Sequence, residues 1–225
     1  MSRVVTAFAA AVALLLPIGR PLLVGLTPAV GIGAGLLSAQ TAYAQTAEDW
    51  FESAFKKYKA GNYQGAINDY TKSIKIDPNI ALYYYNRGLA RYYLKDYRGA
   101  ISDYTKAIKI NPQYAFAYFN RGAAKDDLEN YQGAIADYNK VIEITPRDAE
   151  VYYNRGNTKI HIKDYQGAIS DYTKAIEINP QFDLAYKNRG ITLEQLGDLT
   201  GACTDWKKAA GLGDSEAAKW VRDQC

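Results

Sequence analysis

One pattern, Tyr-x-x-Ala-Ile-x-Asp-Tyr, returns four times in this chain, over 63–70, 97–104, 131–138 and 165–172. The prolines that follow it, Pro78, Pro112, Pro146 and Pro180, stand at intervals of 34 residues. An unchanging interval of this length means a stack of like supersecondary units, each presenting the same faces to its neighbours. Taking Ala47, Ala81, Ala115, Ala149 and Asp183 as position one extends the period to five units, 47–80, 81–114, 115–148, 149–182 and 183–214, followed by a remnant over 215–225.

Each unit divides into two helical runs. Position four holds Trp50, Tyr84, Tyr118, Tyr152 and Tyr186, and position eight holds Ala54, Gly88, Gly122, Gly156 and Gly190, so both lie on one helical face. A mid-helix Gly costs about 1 kcal/mol relative to Ala. Its return in four units points to the close approach of a second helix, for which the expected partner is the alanine at position twenty: Ala66, Ala100, Ala134, Ala168 and Ala202. The second run adds Tyr70, Tyr104, Tyr138, Tyr172 and Trp206 at position twenty-four and small residues at twenty-seven, an apolar stripe. Proline at position thirty-two then ends the helix.

Small residues at positions eight and twenty, aromatics at four, seventeen and twenty-four, and proline at thirty-two resemble the tetratricopeptide repeat, almost without interruption over 47–214. The resemblance implies an all-α, right-handed solenoid of five helix-turn-helix repeats, a binding scaffold and not an enzyme. The fifth unit departs from the pattern, with Asp214 where proline would stand. Residues 215–225 read as a capping helix in which Ala217, Ala218 and Val221 cover the last repeat. Tyr-x-Asn-Arg-Gly and Ala-Ile-x-Asp-Tyr resemble cyanobacterial members of the family, implying the periplasm or the thylakoid lumen.

The leading 44 residues differ in kind. Arg3, an apolar run from Val4 to Leu16, a second apolar stretch from Leu22 to Leu37, and Ala42 and Ala44 before Gln45 fit an export signal cleaved after Ala44, or an uncleaved membrane anchor. Either places the repeats in an exported compartment. Gly31, Gly33 and Gly35 lack the strand-turn-helix context of a phosphate loop. Arg3 and Arg20 are the only charged residues of this segment, so the formal charge of +3 for the chain leaves +1 for the repeats. Such a balance excludes the basic footprint of a nucleic-acid binder. In an exported protein Cys203 and Cys225 are free to form a disulfide if the cap runs antiparallel to the preceding helix; two unpaired thiols are the alternative.

The resemblance also implies that positions two, five, six, nine, twelve and thirteen of the first helices face a groove. Position six holds Asn86, Asn120, Asn154 and Asn188 after Glu52, and position five holds Phe51, Tyr85, Phe119 and Tyr153 before Lys187. Amides able to donate and accept, beside flat rings, suit an extended peptide or protein segment. The same residues are also what packing inherited by duplication would leave. Glu48, Glu52, Asp126, Asp127, Glu150 and Glu194 outweigh Lys59 and Lys187, which disfavours anionic ligands. The basic clamp of repeats that grip chaperone tails has no counterpart here, since position two is Leu, Phe or Glu and position six is Asn. Arg87, Arg121, Arg155 and Arg189 at position seven and the aspartates at twenty-three are expected to pair across helices or across repeats. His161 stands without a neighbouring nucleophile, adjacent Asp126 and Asp127 diverge on a helix, and no metal-ligand or cofactor pattern is present. The readings that follow are a peptide- or protein-binding adaptor and, if the leader stays in the membrane, a tethered assembly or maturation factor.

Overall fold

The computed structural model describes residues 45–225; the leader over 1–44 lies outside the described residues. The described chain forms eleven helices in order: α1 (Ala47–Lys59), α2 (Tyr63–Ile76), α3 (Ala81–Tyr93), α4 (Tyr97–Ile110), α5 (Ala115–Asp126), α6 (Tyr131–Ile144), α7 (Ala149–His161), α8 (Tyr165–Ile178), α9 (Asp183–Gln195), α10 (Leu199–Gly211) and α11 (Ser215–Gln224). Each unit is a helical hairpin, and each second helix also packs against the first helix of the next unit. First helices of successive units touch, α1 with α3 and α3 with α5.

The turns are set by local chemistry at fixed positions. Position sixteen is Asn62, Asp96, Asn130, Asp164 or Asp198, whose side-chain oxygen accepts from the backbone N–H of Gly at position nineteen and so starts each second helix. A Cβ at Gly99 would come within 2.0 Å of the Asp96 carboxylate, so cap and glycine require one another. Position fifteen turns the chain through the left-handed region, with glycine in the first and last units (Gly61, Gly197) but Lys95, Glu129 and Lys163 between them. Before each proline the chain leaves the helix at Asp77, Asn111, Thr145 and Asn179, as the ring of the following residue dictates.

Packing within a hairpin differs from the expectation in one respect. The glycines at position eight lie beneath the aromatic ring at position twenty-four and not chiefly beside the alanine at twenty: a Cβ on Gly88 would meet Tyr104 at 2.7 Å, and one on Gly156 would meet Tyr172 at 2.7 Å. Only at Gly190, beneath Trp206, does the backbone of Ala202 also come close, at 3.2 Å. The notch seats a flat ring, and the reason is area: a ring laid on bare backbone buries more surface than an alanine methyl could. Tyr70, Tyr104 and Trp206 are accordingly buried to within 1%.

Of the two pairings expected, arginine and aspartate make the one across the helices of a single unit, and the reach to the neighbouring repeat is made by the arginine alone, onto a hydroxyl or amide. Arg121 forks onto Asp137 with Nε–Oδ2 at 2.9 Å and Nη2–Oδ1 at 2.6 Å, joining the two helices of its own unit, while its Nη1 donates to Thr105 of the preceding unit at 3.0 Å. Arg87, Arg155 and Arg189 repeat the arrangement with Thr71, Asn139 and Thr173. In the first unit, with no described repeat before it, the slot holds Ser53, and Asp69 is held by Ser53 and Lys57 instead.

Candidate functional site

Along the first helices, residues thirty-five apart meet across two of the repeat junctions through their amides. Asn120 Nδ2 donates to the Tyr85 hydroxyl at 3.1 Å and to the Phe116 carbonyl at 2.9 Å. Asn188 Nδ2 donates to the Tyr153 hydroxyl at 3.1 Å and to Asn157 Oδ1 at 2.9 Å. Asn86 and Asn154 turn their Nδ2 back onto the carbonyls of Leu82 and Glu150, both at 2.8 Å. Asn86, Asn120 and Asn154 are buried, as are Tyr85 and Phe119.

These contacts correct the picture of an open amide ladder. The amide nitrogen is consumed by the protein at every rung, across the repeat junction at Asn120 and Asn188 and onto a carbonyl of its own helix at Asn86 and Asn154, and three of the four side chains are shielded; an unpaired amide there would be costly, which accounts for the recurrence of Asn. The rings at position five pack against aromatic rings of their own units: Tyr85 lies 4.9 Å from Tyr114, Tyr153 lies 4.9 Å from Phe182, and Phe119 lies 5.7 Å from Tyr138. Of the expected groove residues, Phe51, Tyr153 and Asn188 keep partial exposure.

What remains open on the inner helices is positions two, nine, twelve and thirteen. Leu82 and Phe116, Leu89, Asn157 and Ile191, and Tyr92, Asp126 and Ile160 are all partly accessible. This surface is apolar with acidic margins, and more acidic than counting charges suggests, because Lys187 is taken up by Asp214 at 2.9 Å and Glu216 at 3.3 Å. Burial, with the neighbouring Asp148 charge, pushes the Glu150 carboxyl up. Asp126 is also pushed up by burial and by Asp127, against the opposing pull of Thr158 and His161.

The C-terminal helix is fastened by three devices. Cys203 and Cys225 are disulfide-bonded with their Cα atoms 5.7 Å apart. Trp220 packs on Trp206 at 5.2 Å, and Ala217 is fully buried against the last hairpin, whereas Ala218 is only partly so. Asp214 accepts from the Ala217 N–H while pairing with Lys187, so the two departures of the fifth unit, Lys for an aromatic and Asp for proline, answer each other. His161 is exposed, stacked 4.8 Å from Tyr131. No helix among the described residues is long and apolar enough to cross a membrane.

Known proteins carry the same architecture. The tetratricopeptide repeat family matches residues 81–114 and 149–182, and two further tetratricopeptide families match 56–95 with 127–159, and 171–204. The chain superposes on MamA with a TM-score of 0.69 at 28% identity, over 73% of this chain and 96% of that one. It superposes on the first repeat domain of Spaghetti (RPAP3), solved with the HSP90 peptide SRMEEVD, with a TM-score of 0.51 at 32% identity, over 52% and 94%. YrrB, described as a repeat protein with an unusual peptide-binding site, gives 0.67 at 20% identity over 79% and 92%, a likeness of fold alone. No curated protein matches the chain in sequence. Period, notch, cap, proline and these likenesses converge, and the chain belongs to the tetratricopeptide repeat family.

Proposed function

We propose that this chain is a non-enzymatic scaffold that binds a protein segment or extended peptide along α1, α3, α5, α7 and α9, and that it works in an exported compartment, the periplasm or the thylakoid lumen. The observation that carries the reading is a division of labour: amides and rings at positions five and six are largely spent inside the stack, while varied apolar and acidic residues at two, nine, twelve and thirteen, Ala123 excepted, stay accessible. Residues that need not hold the stack are the ones free to differ between units, and here they do differ. Family members with bound or described peptide sites support the class of partner. Their ligands do not transfer: SRMEEVD carries three acids, and an inner face lined by Glu48, Glu52, Asp127 and Glu194 repels such a segment.

Export is supported by the leader and by the disulfide, which persists in oxidising compartments. The scaffold reading is tested with a photoreactive residue placed at Leu89 on the inner face and, separately, at Lys75 on the outer surface of α2. Capture of a discrete partner from Leu89 alone is the expected result; equal capture from both, or from neither, counts against it. Mass determination of the mature amino terminus tests cleavage after Ala44.

A further inference from the structure

The second helices carry their charge unevenly, and positions twenty-six and twenty-nine set the difference. Position twenty-six is lysine throughout, at Lys72, Lys106, Lys140, Lys174 and Lys208. Position twenty-nine is Lys75 and Lys109 in the first two units but Glu143 and Glu177 in the next two. Unlike charges three residues apart close on each other: Lys140 meets Glu143 at 2.6 Å and Lys174 meets Glu177 at 2.9 Å. In the first two units the charges are alike and no such pair forms. Lys72 lies over the Trp50 ring and reaches Asp69 at 3.3 Å, while Lys75, Arg98, Lys106 and Lys109 are exposed and have no ion pair among the described residues. The acids of α2 and α4 are Asp69 and Asp103, both buried and held by Lys57 and by Arg87 with Arg91. The exposed faces of α2 and α4 are therefore cationic without a counter-charge of their own, whereas those of α6 and α8 are neutralised in place.

A second observation, independent of charge, falls at the same end of the array. Isoleucine stands at position thirty in four units, and Ile110, Ile144 and Ile178 are half-buried. Ile76 is instead 52% exposed, the most open of the large apolar side chains among the described residues. It stands one turn beyond Lys72 and so shares its face. Ile80 follows at 37% exposed. At the position of Ile80 the second and fourth units place Tyr114 and Phe182, which pack on Tyr85 and Tyr153.

These features choose among anionic partners. Lysines are flexible point charges, without the planar fork that fixes one carboxylate in one orientation. Spread over two neighbouring units beside open isoleucines, they suit a fluid surface of many anions above a hydrocarbon layer, and not a single acidic segment held in register. We propose that the exposed faces of α2 and α4 dock on an anionic lipid surface, with Ile76 and Ile80 entering the headgroup layer. The docking uses none of the inner-face positions and requires no uncleaved leader.

The test is flotation of residues 45–225, of which Thr46–Cys225 form a compact unit, with vesicles of phosphatidylglycerol and phosphatidylcholine and with vesicles of phosphatidylcholine alone. Binding to the anionic vesicles only, weakening as salt rises from about 0.05 to about 0.5 M, is the expected result. Lys75→Glu with Lys109→Glu gives the first two units the pattern that the next two already carry, so the fold is kept and affinity should fall about tenfold or more. Glu143→Lys with Glu177→Lys extends the cationic face and should strengthen binding. Ile76→Ser should weaken it about threefold, with the salt dependence unchanged. Equal binding to both kinds of vesicle, binding to neither, or an affinity indifferent to Lys75→Glu with Lys109→Glu would overturn the proposal. Polyglutamate bound more tightly than the anionic vesicles would also overturn it, by assigning the face to an acidic protein. Each of these outcomes leaves peptide capture by the inner face standing.

Discussion

The third unit and the fifth are built on one pattern and held by different means. In the third, Asp137 gathers Arg121 and Lys125, and Arg121 reaches back to Thr105, so the node is shared between units. In the fifth, Asp205 holds Arg189 alone, position eleven is Leu193, Trp206 replaces tyrosine, and the far side is closed by a disulfide and the Lys187–Asp214 pair. An interior unit is stabilised by neighbours on both faces. A unit with a short cap in place of a neighbour has less area to bury, and covalent and ionic fasteners make up the difference.

The largest expected effect separates the two nodes. Asp137→Ala leaves a guanidinium and an ammonium without their partner and should cost about 3–5 kcal/mol, whereas Asp205→Ala strands one arginine and should cost less. Chemical denaturation of both variants checks this, and equal losses would mean that the second cation contributes nothing. Next comes the cap. Replacing Cys203 and Cys225 with serine should remove about 3 kcal/mol in the loop-entropy account. The loss should be confined to α11 and the end of α10, so hydrogen exchange there should rise while α3 to α6 stay protected. Uniformly faster exchange would show that the fifth unit is not a separately fastened end.

Smaller effects sharpen the same contrast. Gly88→Ala drives a methyl into the Tyr104 ring and should destabilise by about 1–3 kcal/mol despite the better helix propensity of alanine. At Gly211, near the end of α10, a Cβ meets nothing within 4 Å, so Gly211→Ala should instead gain about 0.5–1 kcal/mol. Thermal melts of the pair give opposite signs if the notch is a seat for the ring. The smallest effect concerns pH. Burial pushes the Asp214 carboxyl up, but the Ala217 N–H and the Lys187 ammonium outweigh it, and it lies below the usual carboxylate value. Its contribution is therefore present above the unfolded-state value and lost as pH falls through the folded one. Acidification should loosen the cap first, and Asp214→Asn should flatten that part of the pH profile. Asp126 works the other way: its carboxyl is raised, so its burial is unfavourable at neutral pH and the penalty fades on acidification.

The order of helices was legible from a single period, because Pro at thirty-two and alternating small and large residues each act through their nearest neighbours in the chain. The cap at position sixteen with its Gly at nineteen was just as local, and the recurring Asn/Asp-Tyr-x-Gly pattern, x being Gln or Arg, would have disclosed it. The inner surface was harder to read. Asn120 has the residue type a ligand site requires and also the type a sealed seam requires, and nothing in its own unit distinguishes them; the decision lies with Tyr85, thirty-five residues away. Likewise Asp126 and Asp137 are both aspartates in helices, yet one finds two cations and the other none. The sequence by itself determined that hairpins form and that they stack, since those depend on local propensity and on periodic bulk. Only the tertiary structure decided which polar groups the stack consumes and which it leaves to a partner, because hydrogen bonding is directional and short in range and is settled by where the next unit comes to rest.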